Sequence, residues 1–505
     1  MSSSSPYISK TEFLDYLTCP GFAWHKRHKR DTLPPMDESL LRRMRDGNYV
    51  ESRARDLFPT GRLITSRRHD QADTETRAAI DAGVNVLFQA TAVAEAGLLA
   101  RADVLERLDD GWHLIEIKSS SADPDKPRNV IRKYLDDLTF QSIAFRHAGI
   151  PIVKTSLLVL DRTFRRNGQI VPGELFTLVD ATNDVQAAEK TTMPIVEDAI
   201  TTLLNSLVAA ECDCDRKTRT NRCELFSHFH PDIPERGTIY NIGSISRKSL
   251  LPALDRGVLM IEDWPDDIDL SAKQKRQVEL ARGGVEVVNP DAIRTFLGTH
   301  DQPMWYLDYE TFQSAVPRWE GYAPHQQITF QYSLHRSDGH GGSNHYEYLA
   351  ESAVDDPTKG LLERLSQDLG DSGSVLVWNR SFEYGRNEEM AERFPEHAEF
   401  LHGVNDRMID LADAVKHGWW EHPDFQGSWS LKQVLPVAAP ELDYKNLEIG
   451  DGSTASEKWM QAVLDNPSPL SDNERANVLR ALLEYCKQDT LAMVRIRDYM
   501  LGLLN

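Results

Sequence analysis

Residues 304–312 read MWYLDYETF, an apolar, aromatic-rich run that carries two acids, Asp308 and Glu310, two positions apart. Such a run reads as a β-strand, in which side chains at i and i+2 share a face. Asp308 and Glu310 therefore project together, beside Met304, Tyr306 and Phe312. Two neighbouring carboxylates in apolar surroundings repel one another and are costly to desolvate unless a cation neutralises them. Either this strand is a sheet edge with a wet acidic face, or the pair is placed to hold a cation.

A chain of 505 residues is too long for one core and implies two or three domains. Lys and Arg number 57 against 78 Asp and Glu, a net charge of −21, which argues against a protein that coats nucleic acid non-specifically. An enzyme with a local basic groove stays open. No apolar run approaches the roughly 20 residues of a membrane span. The opening MSSSSPYISKTEF lacks the apolar core of a signal peptide, so a cytoplasmic protein without a membrane partner is expected. Cysteine usage is uneven: Cys19 stands alone, Cys212, Cys214 and Cys223 crowd into ECDCDRKTRTNRC, and Cys486 lies far downstream. A disulfide framework is unexpected in such a chain, whereas metal or cluster ligation fits the crowding.

Periodicity divides the chain at about 235 and 300. In 1–235, helices are expected over TEFLDYL and SLLRRMRDGNYVESRARDLF, strands over 99–106 and 112–118 around the turn LDDG, then a helix from Asn129 to Gly149, a strand in KTSLLVLD and a helix over 186–209. Residues 236–300 read as a linker or small helical module. In 301–505, strands are expected at 304–312, 327–334, 345–349 and 375–378, and helices at 357–369, 383–394, 430–435 and 472–500. Three strands followed by alternating helices and strands imply a mixed sheet covered by helices, so the fold class is α/β.

The acids of the C-terminal half recur in a definite order. Glu383 opens a helix just past the strand VLVW, where sites collect in open α/β sheets. Tyr485 and Asp489 stand at i and i+4 on one face of the last helix, and Asp410 lies between as a supplement. Asp-x-Glu, a later acid and Tyr-x-x-x-Asp together resemble the tyrosine-bearing form of the DnaQ-like (DEDD) branch of RNase H-like 3′→5′ exonucleases. The resemblance implies that Asp308, Glu310, Glu383 and Asp489 hold two divalent ions, Mg²⁺ or Mn²⁺, and that Tyr485 positions the attacking water. The family places Asp where Glu383 stands. Cys486, in the same helix, reads as a buried core thiol.

The N-terminal half carries a second set. Alternation in WHLIEIK puts Glu116 and Lys118 on one face and Ile115 and Ile117 on the other, with Asp103 on the partner strand. Asp followed by Glu-x-Lys across a hairpin resembles the PD-(D/E)XK nucleases, in which the acids bind metal and the lysine orients or activates water. Gln141 in the following helix resembles the Gln-x-x-x-Tyr motif of the RecB-like branch, with Phe145 in place of Tyr. The upstream metal-ligating His of that branch has no counterpart, and Glu51 and Gln89 stand in the region instead. RecB-like, AddB-type and CRISPR-adaptation relatives bracket this core with cysteines that hold an iron–sulfur cluster. Cys19, Cys212, Cys214 and Cys223 fit that bracketing, which implies a 4Fe-4S cluster. The looser spacing leaves open zinc, free thiols, or a ligand from His228 or His230.

Together the halves resemble bacterial fusions of a RecB-like nuclease with a DnaQ-like exonuclease. That implies a restriction-endonuclease-like domain over 1–235 and an RNase H-like domain over 301–505. It also implies a metal-dependent nuclease acting on DNA, single-stranded or with a free end, in repair or in defence against phage and other foreign DNA. An RNA exonuclease is the nearest alternative, because the 2′-OH decides between the polymers. A DNA-binding protein with an inactive N-terminal nuclease fold and one active exonuclease is another. The basic clusters HKRHKR, RTFRR and RKTRTNR, and Trp419, Trp420 and Trp429, are candidates for backbone and base contacts, or simply surface and packing residues.

Overall fold

The computed structural model describes residues 6–33, 38–338, 343–442, 444, 447–464 and 469–504. It divides the chain into two compact units: Met1–Ile233 with Ser314–Gln326, and Pro234–Gln313 with Gln327–Asn505. Each is a mixed α/β structure, the class expected from the hydrophobic pattern.

The first unit is built on a seven-stranded sheet of β1 (Ile8–Ser9), β2 (Arg62–Leu63), β3 (Val86–Ala94), β4 (Leu98–Leu108), β5 (Gly111–Ala122), β6 (Ile152–Asp161) and β7 (Phe176–Asp180). The order is β2-β3-β4-β5-β6-β7, with β1 beside β4. Strands β3, β4 and β5 are antiparallel, and helix Arg128–His147 makes the crossover to parallel β6. One face packs Leu114, Phe140 and Phe145 with Phe13. The other packs Ile115 and Ile117 with Val50 and Ala54 of helix Glu38–Arg55. Residues 314–326 belong to this unit because Ala315 and Val316 join that second face, Arg166 donates to the carbonyl of Pro317 at 3.0 Å, and Glu320 accepts from Gly168 N–H at 2.8 Å.

The second unit contains β8 (Val287–Val288), β9 (Met304–Gln313), β10 (Gln327–Ser337), β11 (Ser343–Leu349), β12 (Val375–Val377), β13 (Met408–Asp410) and β14 (Trp420–Glu421). Its five-stranded sheet runs β11-β10-β9-β12-β13, antiparallel through the first three and parallel beyond. Strand β9 is the middle strand, so MWYLDYETF is not a wet sheet edge. Strand β10 extends past 334 because Leu334, His335 and Arg336 pair with Tyr346, His345 and Asn344 of β11. The helix expected from 383 begins at Arg380, since the Asp410 carboxylate accepts the N–H groups of Asn379 and Arg380 at 3.1 and 3.0 Å. Residues 236–300 form helices Arg247–Asp255, Ala272–Gly283 and Pro290–Leu297. They fold as part of the second unit: Ile293, Phe296 and Leu297 share a core cluster with Met304 and Trp420, and β8 pairs with β14.

The 31-residue helix Asp472–Gly502 starts in a capping box between Ser471 and Glu474. Its buried side chains Val478, Leu482, Tyr485, Cys486, Asp489, Met493 and Ile496 recur at helical spacing, and this face lies against β9 and β10. A buried stripe that includes an acid requires a partner for its charge. The region it faces is the acidic side of β9, which adds to that charge instead of offsetting it.

Candidate metal centres

In the second unit, β9 turns Asp308 and Glu310 toward helix Asp472–Gly502. One carboxylate oxygen from each acid and the Cys486 sulfur lie within 4.8 Å of one another. The Cys486 thiol donates to Asp308 Oδ2 at 3.4 Å, so it touches the acidic centre instead of filling only the core. Asp489 accepts a hydrogen bond from the Tyr444 hydroxyl, and its charge acts on Tyr485 one helical turn before it. Glu383, 2% exposed in the first turn of helix Arg380–Arg393, feels the charge of Asp308. Its Oε2 is buried without a hydrogen-bond partner among the described residues. Asp410 is already committed: besides Asn379 and Arg380 it accepts from Ala412 N–H at 3.0 Å and from Lys416 at 2.7 Å. Its role is to anchor the start of the helix that carries Glu383.

Burial is the first cause of every shift in this centre. It pushes Asp308, Glu310 and Glu383 well above the usual carboxylate range, and Asp489 up to about 6. The Asp489 charge adds to Asp308, and the Asp308 charge to Glu310 and Glu383. Lys432 is the cation acting on Asp308, Glu310 and Asp489. Its ammonium donates to the Gly450 carbonyl at 2.6 Å and lies 5.4 Å from the ring centroids of both Tyr444 and Tyr485. A hard-oxygen donor set this short of positive charge suits a divalent cation of the Mg²⁺ or Mn²⁺ type, and the unpartnered Glu383 oxygen fits the same use.

These raised values have a consequence for stability. Between the ordinary carboxylate value near 4 and the folded value, the folded chain holds protons that the unfolded chain has released. The stabilisation is therefore full below about pH 4 and is lost as pH rises through about 6 and beyond. Asp489 alone corresponds to roughly 3 kcal/mol. In chelator, the melting temperature is expected to fall from pH 5 to pH 8, and Mn²⁺ should raise it far more at pH 8 than at pH 5. Asp308→Asn should flatten both trends. A wild-type melting profile indifferent to pH and Mn²⁺ would remove the cation site.

In the first unit, Asp103 and Glu116 meet across the β4–β5 hairpin. The strands stop pairing beyond Val104 and Ile115, and Asp103 Oδ2 accepts the N–H of Ile117 at 2.9 Å. Glu116 Oε1 accepts from Lys10 at 2.5 Å and Lys118 at 2.7 Å, and Oε2 from Gln141 at 2.7 Å. Asp137, one helical turn before Gln141, pairs with Lys118 at 2.7 Å and Lys10 at 3.3 Å. Gln89 adopts a left-handed backbone, φ 56°, and its amide bridges Glu51 at 2.6 Å and Asp103 at 3.0 Å. A non-glycine residue held there costs conformational energy, a feature that concentrates at functional sites. Burial, then the Glu116 charge, pushes Asp103 up. Glu116 is drawn down to about 2 by the two lysines despite its burial. Asp137 was legible one turn from Gln141, whereas Lys10, 106 residues before Glu116, carried no local signal.

Cys19, Cys212, Cys214 and Cys223 also converge, with all four sulfurs within 4.8 Å of one another. His228 and His230 lie outside that group; His228 packs edge-on to His25, and His230 against Phe226. The basic clusters are partly internal: His25 is buried, Arg27 pairs with Glu12, and Arg166 holds the 314–326 segment. Trp420 is fully buried, and Trp429 lies beneath the Lys416 ammonium at 4.2 Å. No described helix is long and apolar enough to cross a membrane.

A family model described as a domain of unknown function (DUF2779) matches residues 305–430. That stretch holds Asp308, Glu310 and Glu383 and stops short of Tyr485 and Asp489. An uncharacterized protein of Mycoplasma pneumoniae, the MG366 homolog, is 28% identical over 213 residues, covering 39% of this chain and 32% of the relative. The uncharacterized protein UU173 of Ureaplasma parvum serovar 3 is 26% identical over 223 residues, covering 40% of this chain and 31% of the relative. The chain thus spans about a third of the length of these curated relatives. Among solved structures, an alkaline exonuclease from Laribacter hongkongensis aligns with 40% of this chain and 93% of its own, at 13% identity and a TM-score of 0.21. A likeness that slight carries no argument about function.

Proposed function

We propose that the protein is a divalent-metal-dependent nuclease that hydrolyses DNA phosphodiester bonds, with 3′→5′ exonuclease activity in the second unit. The observation that carries this reading is the convergence of the Asp308 and Glu310 carboxylates beside Cys486 in an apolar, cation-poor setting, with Asp489 near enough for its charge to act on both acids. In this reading Asp308, Glu310, Glu383 and Asp489 hold the ions. When bound, the ions activate water and offset charge on the scissile phosphate. Tyr444 orients the Asp489 carboxylate through its hydroxyl, and Tyr485, one helical turn before Asp489, is the residue that would position water. Lys432 supplies fixed positive charge beside the acids. Cys486 fixes the Asp308 rotamer by donating to Oδ2.

The first unit supports a second, RecB-like nuclease centre, with Asp103 and Glu116 as metal ligands, Lys118 beside the water and Gln141 holding Glu116. One observation favours a different reading of this unit. Both oxygens of Glu116 are already engaged by Lys10, Lys118 and Gln141, as suits a fold that grips DNA without cutting it.

End-labelled single- and double-stranded DNA and RNA, incubated with Mg²⁺ or Mn²⁺, test both readings. Stepwise loss from DNA 3′ ends is expected, abolished by chelator. Preference for RNA would change the substrate, and no hydrolysis of any polymer would reject the nuclease reading.

A further inference from the structure

We propose that the four cysteines of the first unit form a mononuclear tetrahedral site for a thiophilic divalent ion, zinc in the cell, and not a cradle for a 4Fe-4S cluster. This inference stands apart from the nuclease reading and rests on sulfur spacing. Four thiolates bound to one zinc at about 2.3 Å lie about 3.8 Å from one another. Thiolates on the four corners of a 4Fe-4S cubane lie about 6.5 Å apart, since the iron and sulfide cage stands between them. Here Cys19 Sγ is 3.5 Å from Cys212 Sγ, Cys212 Sγ is 3.9 Å from Cys223 Sγ, and no pair exceeds 4.8 Å. The sulfurs span one ion.

The backbone independently holds this narrow spacing. Gly21 donates its N–H to the Glu211 carbonyl at 3.0 Å. A Cβ on Gly21 would sit 2.9 Å from the backbone of Glu211 and Cys212. The segment bearing Cys19 is therefore clamped to the segment bearing Cys212, and opening the site to a cubane would break that contact. Backbone N–H groups already point at sulfur: Phe22 to Cys19 at 3.4 Å and Cys223 to Cys214 at 3.3 Å, as thiolate ligands require. Lys217 donates to the Thr18 carbonyl at 2.7 Å and to Asp213 at 2.6 Å, tying the segment after Cys212 to the residue before Cys19. Phe22, Leu225, Phe226 and Phe229 enclose it in an apolar shell. Cys19 comes from near the start of the Met1–Ile233 segment and the others from near its end, so the ion would tie the two together.

The full chain, expressed with iron and zinc both supplied and purified without oxygen, should be colourless and hold about one zinc and no sulfide per chain. A mercurial thiol reagent should release that zinc stoichiometrically to a chromogenic chelator, a readout that needs no variant to fold. Exchange with Co²⁺ should give the strong visible bands of a tetrahedral tetrathiolate. Cys214→Ser should lose the ion, and Gly21→Ala should weaken its retention at least tenfold. About four irons with equal sulfide and absorbance near 400 nm would overturn the proposal in favour of a cluster. Four freely titrating thiols with neither metal would overturn it as well.

Discussion

Replacing Asp308 by Ala is expected to lower trimming from DNA 3′ ends by about a thousandfold or more, the scale that follows if it is a ligand common to the proposed metal centre. The fold should survive. Asp308 is held charged only at a cost, since burial and the Asp489 charge both oppose its ionisation. Removing it relieves that repulsion, so the metal-free variant should melt no lower than wild type at pH 8. DNA binding should stay intact or tighten, because a negative charge leaves the neighbourhood of the phosphate. Single-turnover trimming and a binding titration in Ca²⁺ separate these effects. Trimming at the wild-type rate would show that MWYLDYETF does not carry the chemistry.

Lys118 should behave in the opposite way. It pairs with Glu116 and Asp137, both buried, and its loss leaves them with Lys10 as the remaining ammonium in contact. Breaking a buried pair from one side is strongly destabilising, because the remaining charge stays desolvated. Lys118→Met should therefore cost about 3 kcal/mol, read as faster hydrogen exchange of the β5 amides. Adding Glu116→Gln should recover much of that loss, and a non-additivity under about 0.5 kcal/mol would show that the pair is not coupled. In nuclease assays Lys118→Met should leave 3′ trimming unchanged and remove internal or 5′ cutting. If it alters no cutting while substitutions in RKTRTNR weaken DNA binding, the first unit is a grip.

What could be read from the sequence was what short-range periodicity encodes. Period two set Glu116 beside Lys118 in WHLIEIK and Asp308 beside Glu310 in MWYLDYETF, and the Tyr485/Asp489 spacing put both on the buried stripe of one helix. The hairpin turn at Asp109 and Asp110 was equally legible from LDDG. Residues whose role depends on distant packing were not. Lys432 sits in SLKQVL like any surface lysine, and Tyr444 lies in a stretch with no periodic pattern. Cys486 looked like a core thiol because nothing local shows that Asp308 lies across from it. Asp410 reads as a spare ligand in the sequence, yet the backbone N–H groups that occupy it come from residues 31 and 30 positions earlier and two later.

The assignment of residues 314–326 to the first unit has a consequence for synthesis. Chains emerge N-terminus first, and domains generally fold as they emerge. The first unit cannot follow that order to completion, because Ala315, Val316 and the carbonyl that Arg166 seeks are made only after β9. Until residue 326 has left the ribosome, the Ile115–Ile117 face stays partly uncovered while the second unit's first strand is already in solution. The ribosome must therefore deliver part of the later unit before the earlier one can close.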